Sequence, residues 1–209
     1  MIVFNVLVFL GELAATNNFD IQPTENLFAQ YGAVPYYIHF ALNGIGVLRL
    51  GTLVTSMFLH AGLWHVGGNM LFLFVFGDNV EDALGHGKYL GFYLLSGVAG
   101  GLTQVFLALL NGPPDIYIPS VGASGAISGV LAAYLVFFPK ARVLSILGYF
   151  IVPIRAFWFI GVWFLIQLLF SYVGADTGVA YGAHVGGFVF GLVLAGIARL
   201  FIRVRELEP

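Results

Sequence analysis

"NGPPDIYIPSVGASGAISGVLAAYLVFFPK", residues 111–140, decides how this chain is read. From residue 123 to 138 it is apolar, and it stops at Pro139–Lys140. A helix of about 16 residues at 1.5 Å per residue is about 24 Å long, short of a hydrocarbon core near 30 Å. Ser124, at its start, would then lie below a membrane surface, and the irregular segment before it would have to descend to that depth. Irregular backbone is tolerated there only where protein buries it or a water-filled cavity wets it. A serine at the foot of such a cavity is either a nucleophile or a small residue that lets helices pack closely. The rest of the chain bears on the choice.

Working outward, the 209 residues are 60% apolar and only 9% charged, with a mean hydropathy of +0.96. A soluble domain carries about a quarter charged residues, so the chain is expected to be an integral membrane protein. A net charge of −2 gives no reason to expect nucleic-acid binding, and the absence of cysteine excludes disulfides and thiolate zinc sites. No basic leader with a small-residue cleavage site opens the sequence, so the first apolar run reads as a retained helix. Six spans emerge, at about 1–15, 63–80, 89–110, 123–138, 156–173 and 182–202, in one all-α domain covering 1–209. The long connection 16–55 contains Pro23, Pro35 and the aromatic stretch "VPYYIHF" and is expected to lie partly in the membrane interface.

Basic residues concentrate in cytoplasmic loops. Lys88, Lys140, Arg142, Arg155, Arg199, Arg203 and Arg205 all fall on one side of the six-span arrangement, with Arg49 alone opposite. Both termini are therefore expected in the cytoplasm, with loops 16–55, 111–122 and 174–181 outside. Spans two, four and six then enter from outside and carry His65 and Asn69, Ser124, and His184 in their first turns. Residues scattered in sequence thus reach one depth in the outer leaflet. Intramembrane ionisable groups are functional hypotheses by default. His65 and Asn69 are four apart and share a helix face. Gly125-x-x-x-Gly129 and Gly187-x-x-x-Gly191 read as helix-approach motifs that would bring Ser124 to His184. His39, His60 and His86 carry no comparable signal.

These residues resemble the rhomboid intramembrane serine proteases along nearly the whole chain. The matching elements are "HAGLWHVGGNMLF" (60–72), "FGDNVEDALG" (76–85), "GASG" (122–125) and "AHVGG" (183–187), in the expected order. The resemblance implies Ser124 as nucleophile and His184 as its general base. It implies His65, Asn69 and the Ser124 backbone N–H as the oxyanion hole, with Gly122 in the serine motif. It further implies a prokaryotic cell membrane, transmembrane protein substrates cut near the outer end of a helix, and no metal or other cofactor. Two features depart from some members: loop 16–55 has no tryptophan, leaving Arg49 without a Trp-Arg pair, and Ser128 stands where an aromatic residue would stack on the base. The imidazole is therefore expected to be held by helix packing. Asp115 and Asp176 are the carboxylates nearest in sequence to Ser124 and His184, and both read as solvated loop residues, which predicts a dyad rather than a triad.

Two other readings use the same residues. A small transporter or channel would employ Ser124, His65, Asn69 and His184 as ligands for a solute or proton, but no acidic residue lies mid-span with a counter-charge, apart from Glu12 near the outer end of span one. A non-catalytic membrane chaperone would bind unstable helices through the same lateral opening.

Overall fold

A computed structural model describes residues 1–174 and 177–202, apart from the side chains of residues 146 and 147. Helix α1 spans Ile2–Ala15. The connection expected over 16–55 contains two helices, α2 (Ile21–Tyr31) and α3 (Pro35–Leu42), followed by a 3-10 turn at Val47–Gly51 and the single turn α4 (Thr52–Thr55). Next come α5 (Leu63–Phe72), a π turn at Leu73–Gly77 and α6 (Asp78–Leu84), which extend the second apolar run beyond its expected end at residue 80. Helices α7 (His86–Asn111), α8 (Ser124–Phe137), α9 (Ala156–Tyr172) and α10 (Tyr181–Arg199) follow.

The all-α expectation needs a correction. Between α8 and α9 the chain forms an antiparallel hairpin, β1 (Arg142–Leu147) with β2 (Phe150–Arg155), pairing Arg142 with Arg155 and Leu147 with Phe150. Val, Ile and Phe favour strands, and Gly148, at φ +61°, supplies the left-handed residue that a two-residue turn needs. By length and composition, α7 and α10 can cross a membrane, and Leu63–Leu84 joins them when counted with Val47–Phe58, to which it is bent by 83°. The remaining apolar helices, α1, α8 and α9, have 14, 14 and 17 residues, about 21–26 Å.

Helix α8 is the centre of the molecule. Every residue from Gly125 to Tyr134 is buried, as is Phe137. A helix apolar on all sides is one surrounded by protein. Glycines set how closely its neighbours approach. A Cβ at Gly191 would come within 2.5 Å of Gly129 Cα, and one at Gly187 would overlap the Gly125 carbonyl oxygen. Side chains larger than hydrogen at these positions would force α8 and α10 apart. The segment before α8 is also tied down, which explains how irregular backbone survives there. Ala33 and Ser120 exchange backbone hydrogen bonds of 3.0 and 2.9 Å, and the Gly122 N–H donates to Ser56 O at 2.8 Å.

Candidate active site

Ser124 opens α8, so its backbone N–H has no acceptor within the helix. His184 lies in the first turn of α10. Because α8 and α10 meet glycine to glycine, the two side chains touch: Ser124 Oγ and His184 Nε2 are 2.8 Å apart across 60 residues of sequence. The other ring nitrogen is engaged as well. His184 Nδ1–H donates to Gln167 Oε1 on α9 at 2.8 Å, which leaves Nε2 as the acceptor for the serine hydroxyl. The indole of Trp163, one turn before Gln167, lies at 29° to the imidazole with 6.0 Å between ring centres, and Tyr181 meets the ring edge-on at 6.1 Å.

His65 and Asn69, on α5, lie beside Gly122, two residues before Ser124. The Ala61 N–H donates to His65 Nδ1 at 3.3 Å, which places the ring proton on Nε2. Both donors aim at Gly122: a Cβ built there would lie 2.7 Å from His65 Nε2 and 3.7 Å from Asn69 Nδ2. Asn69 Nδ2 is buried and has no hydrogen-bond partner. Buried amide nitrogens are nearly always satisfied, so Asn69 Nδ2 is a donor able to meet an acceptor placed beside Gly122. The φ of Gly122 is +126°, so backbone conformation and space both require glycine here. The small cavity beside the serine is lined by Ser56, Met57, Gly97, Gly122, Ser124 and Ala183, among others.

On the His65 side, Glu12 of α1 accepts the His60 backbone N–H on its carboxylate oxygens at 3.0 and 3.2 Å. His60 is fully buried and donates through Nδ1 to Phe58 O at 3.2 Å. Glu12 therefore pins the peptide next to the one that orients His65. Asp115 accepts from Asn111 Nδ2 at 2.8 Å and is half-buried. Asp176 lies outside the described residues. Among the described residues, no three His, Asp or Glu side chains converge to hold a metal ion.

The expected residues are thus brought together, Ser124 with His184 and His65 with Asn69. The expectation that helix packing alone holds the imidazole is incomplete, because Gln167 was missed. A signal was available: Gln167 is the one amide in the apolar run "AFWFIGVWFLIQLLFSY".

Residues 47–201 match the rhomboid domain. The chain belongs to the rhomboid family. It is 33% identical over 147 residues, 68% of this chain and 40% of the relative, to "Rhomboid protein 1, mitochondrial" of Saccharomyces cerevisiae. It is 29% identical over 162 residues, covering 74% of this chain and 40% of the relative, to "Presenilin-associated rhomboid-like protein, mitochondrial" of Mus musculus. It is 29% identical over 148 residues to "Rhomboid protease AarA" of Providencia stuartii, covering 67% of this chain and 53% of that protein. The match thus spans about two-fifths to half of these relatives' length. In this rhomboid chain the first connection is anchored without a Trp-Arg pair. Arg49 Nη1 donates to Ala29 O at 3.0 Å and Gln30 O at 3.3 Å, and its guanidinium lies 4.7 Å from the Tyr37 ring centre.

Proposed function

We propose that this chain is an intramembrane serine endopeptidase that cuts transmembrane helices of other membrane proteins near their outer ends. The observation that carries the reading is the 2.8 Å contact between Ser124 Oγ and His184 Nε2, with the unpartnered Asn69 amide beside Gly122, two residues before the serine. A serine hydroxyl is a weak nucleophile until an adjacent base takes its proton. Ser124 Oγ attacks the scissile carbonyl carbon while its proton passes to His184 Nε2. The oxygen that becomes negative is received by His65 Nε2–H, Asn69 Nδ2–H and the Ser124 N–H at the positive end of α8. When this intermediate collapses, the C–N bond breaks and the imidazolium gives its proton to the leaving amine. Water then attacks the acyl-serine with His184 again as base, and the serine recovers its proton as the new carboxylate leaves. These steps use no metal or other cofactor. Losing one such donor typically costs about 2.7–4 kcal/mol of barrier.

A helical substrate cannot offer its carbonyl while that oxygen is bonded within the helix, so the substrate must unwind locally at the site. In the reading proposed, residues 1–209 form one domain with six membrane crossings, both termini face the cytoplasm, and the membrane is that of a prokaryotic cell. The polar constellation then opens to the outer side, next to lipid through which substrates arrive. A fluorophosphonate probe tests the chemistry. Labelling of the native protein in detergent that disappears in Ser124→Ala supports the peptidase. A folded native protein that takes no label favours a solute pathway or a helix-binding chaperone.

A further inference from the structure

We propose that Gln167 is the positioning residue of the site, a neutral third member that keeps the His184 ring proton on Nδ1 and so keeps Nε2 free to accept from Ser124. This rests on the proteolytic reading above. Imidazole has two neutral tautomers, and only the one with Nδ1 protonated can receive the serine proton on Nε2. Something must select it. In soluble serine hydrolases a buried carboxylate does so, and it also stabilises the imidazolium formed during the reaction. Here the atom that meets Nδ1 is an amide oxygen.

Three observations assign the role. Gln167 Oε1 and Ser124 Oγ are each 2.8 Å from their own ring nitrogen, so the imidazole is gripped from both ends. The amide of Gln167 is itself oriented: its Nε2 donates to Trp163 O at 3.4 Å, which turns the oxygen, not the nitrogen, toward His184. Gln167 is buried, at 8% exposure, inside a helix whose exposed side chains are otherwise apolar along this stretch. A polar side chain is placed there at a desolvation cost, which the bond to His184 offsets.

The choice of an amide over a carboxylate follows from the medium. A carboxylate beside His184 would lose its hydration in a low-dielectric interior, and its attraction to a neutral imidazole would not compensate. An amide selects the same tautomer without a charge. It gives less to the imidazolium, so its loss should cost less than loss of a triad aspartate. The bond also links α9 to α10, so the orientation of the base depends on α9 staying docked. It supplies the orienting contact at a site where Ser128, on α8, is too small to stack on the ring and donates instead to Ser124 O at 2.6 Å.

The test uses the full chain in liposomes with a transmembrane substrate, and compares native protein, Gln167→Met and Gln167→Glu. Methionine keeps the volume and removes the acceptor, whereas glutamate keeps an acceptor oxygen. Gln167→Met should lower kcat by about tenfold to a hundredfold, well short of the 10⁴ of a lost triad aspartate, and leave KM within about twofold. Gln167→Glu should recover kcat to within about tenfold of native. Solid-state ¹⁵N NMR of histidine-labelled native protein should show His184, assigned by its loss in His184→Ala, protonated on Nδ1. The proposal is overturned by a native His184 protonated on Nε2, by Gln167→Met cleaving as fast as native, by a loss confined to KM, or by Gln167→Glu doing no better than Gln167→Met. Native protein and Ser124→Ala separate the two levels. If native protein neither cleaves nor labels, the peptidase reading fails and takes this one with it. If native protein cleaves, Ser124→Ala does not, and Gln167→Met is unimpaired, only the role of Gln167 falls.

Discussion

Replacing Gly122 by alanine puts one carbon atom beside the two donors that, in the proposed reaction, receive the oxyanion. A Cβ there would be 2.7 Å from His65 Nε2, 2.8 Å from His65 Cε1 and 3.7 Å from Asn69 Nδ2. The first distance is that of a hydrogen bond to oxygen but well inside van der Waals contact for carbon. The methyl group therefore displaces the His65 ring and occupies the space into which the Asn69 amide points. The backbone adds a second penalty, since φ of +126° is a conformation that side chains rarely adopt and costs of order 1–3 kcal/mol. The structural cost falls on the folded state and lowers thermal stability modestly. The functional cost is larger: loss of even one oxyanion donor lowers kcat by about 10²–10³. The assay is cleavage of a transmembrane substrate in liposomes, with fluorophosphonate labelling run in parallel, because the phosphonyl adduct also places an oxygen among these donors. Gly68→Ala on α5 is the control. Nothing lies within 4 Å of its Cβ position, so activity should be unchanged and the helix stabilised by up to about 1 kcal/mol. A folded Gly122→Ala that keeps kcat within about threefold of native would refute the assignment of this space to the oxyanion.

Ser124→Ala and His184→Ala should each abolish cleavage, and the double variant should lose little more, because members of one catalytic unit are not additive; stepwise, multiplying losses would deny that they act together. Gly187→Ala should both lower the unfolding temperature and suppress cleavage, since its Cβ would overlap the Gly125 carbonyl oxygen one residue from Ser124, the proposed nucleophile; unchanged unfolding would mean that α8 and α10 are not held this closely. Asp115→Asn and Asp176→Asn should each leave the cleavage rate within about tenfold, and a fall approaching 10⁴ at either position would identify a triad acid.

What could be read from the chain depended on how each residue signals its role. Ser124, His65, Asn69 and His184 stand out because polar groups in apolar runs are rare, and the topology expected from the basic residues puts three of those runs' first turns at one depth. The glycine motifs likewise foretold where α8 and α10 meet, because close approach demands small residues at helical spacing. Gln167 escaped notice because it is uncharged, and its meaning depends on which way α9 faces. That orientation is set by packing against α8 and α10, which no local pattern encodes. Glu12 was visible as an acid in a span, but its partner is a backbone N–H at His60, 48 residues away, and backbone groups leave no mark in sequence. The hairpin at 142–155 leaves no local mark, because its β-branched, apolar composition does not stand out in a chain that is apolar nearly everywhere. The two helices inside residues 16–55 were obscured by prolines, one of which, Pro35, opens α3 rather than breaking it.

The central claim is most directly tested by mapping cuts. The native chain and Ser124→Ala are reconstituted in liposomes with a panel of single-span substrates, and the products are read by mass spectrometry. The account predicts that native protein cuts in the outer third of substrate helices, next to small side chains and near Gly or Pro that ease unwinding, and that Ser124→Ala cuts nothing. Cuts clustered in the cytoplasmic third, or cleavage that survives in Ser124→Ala, would contradict it.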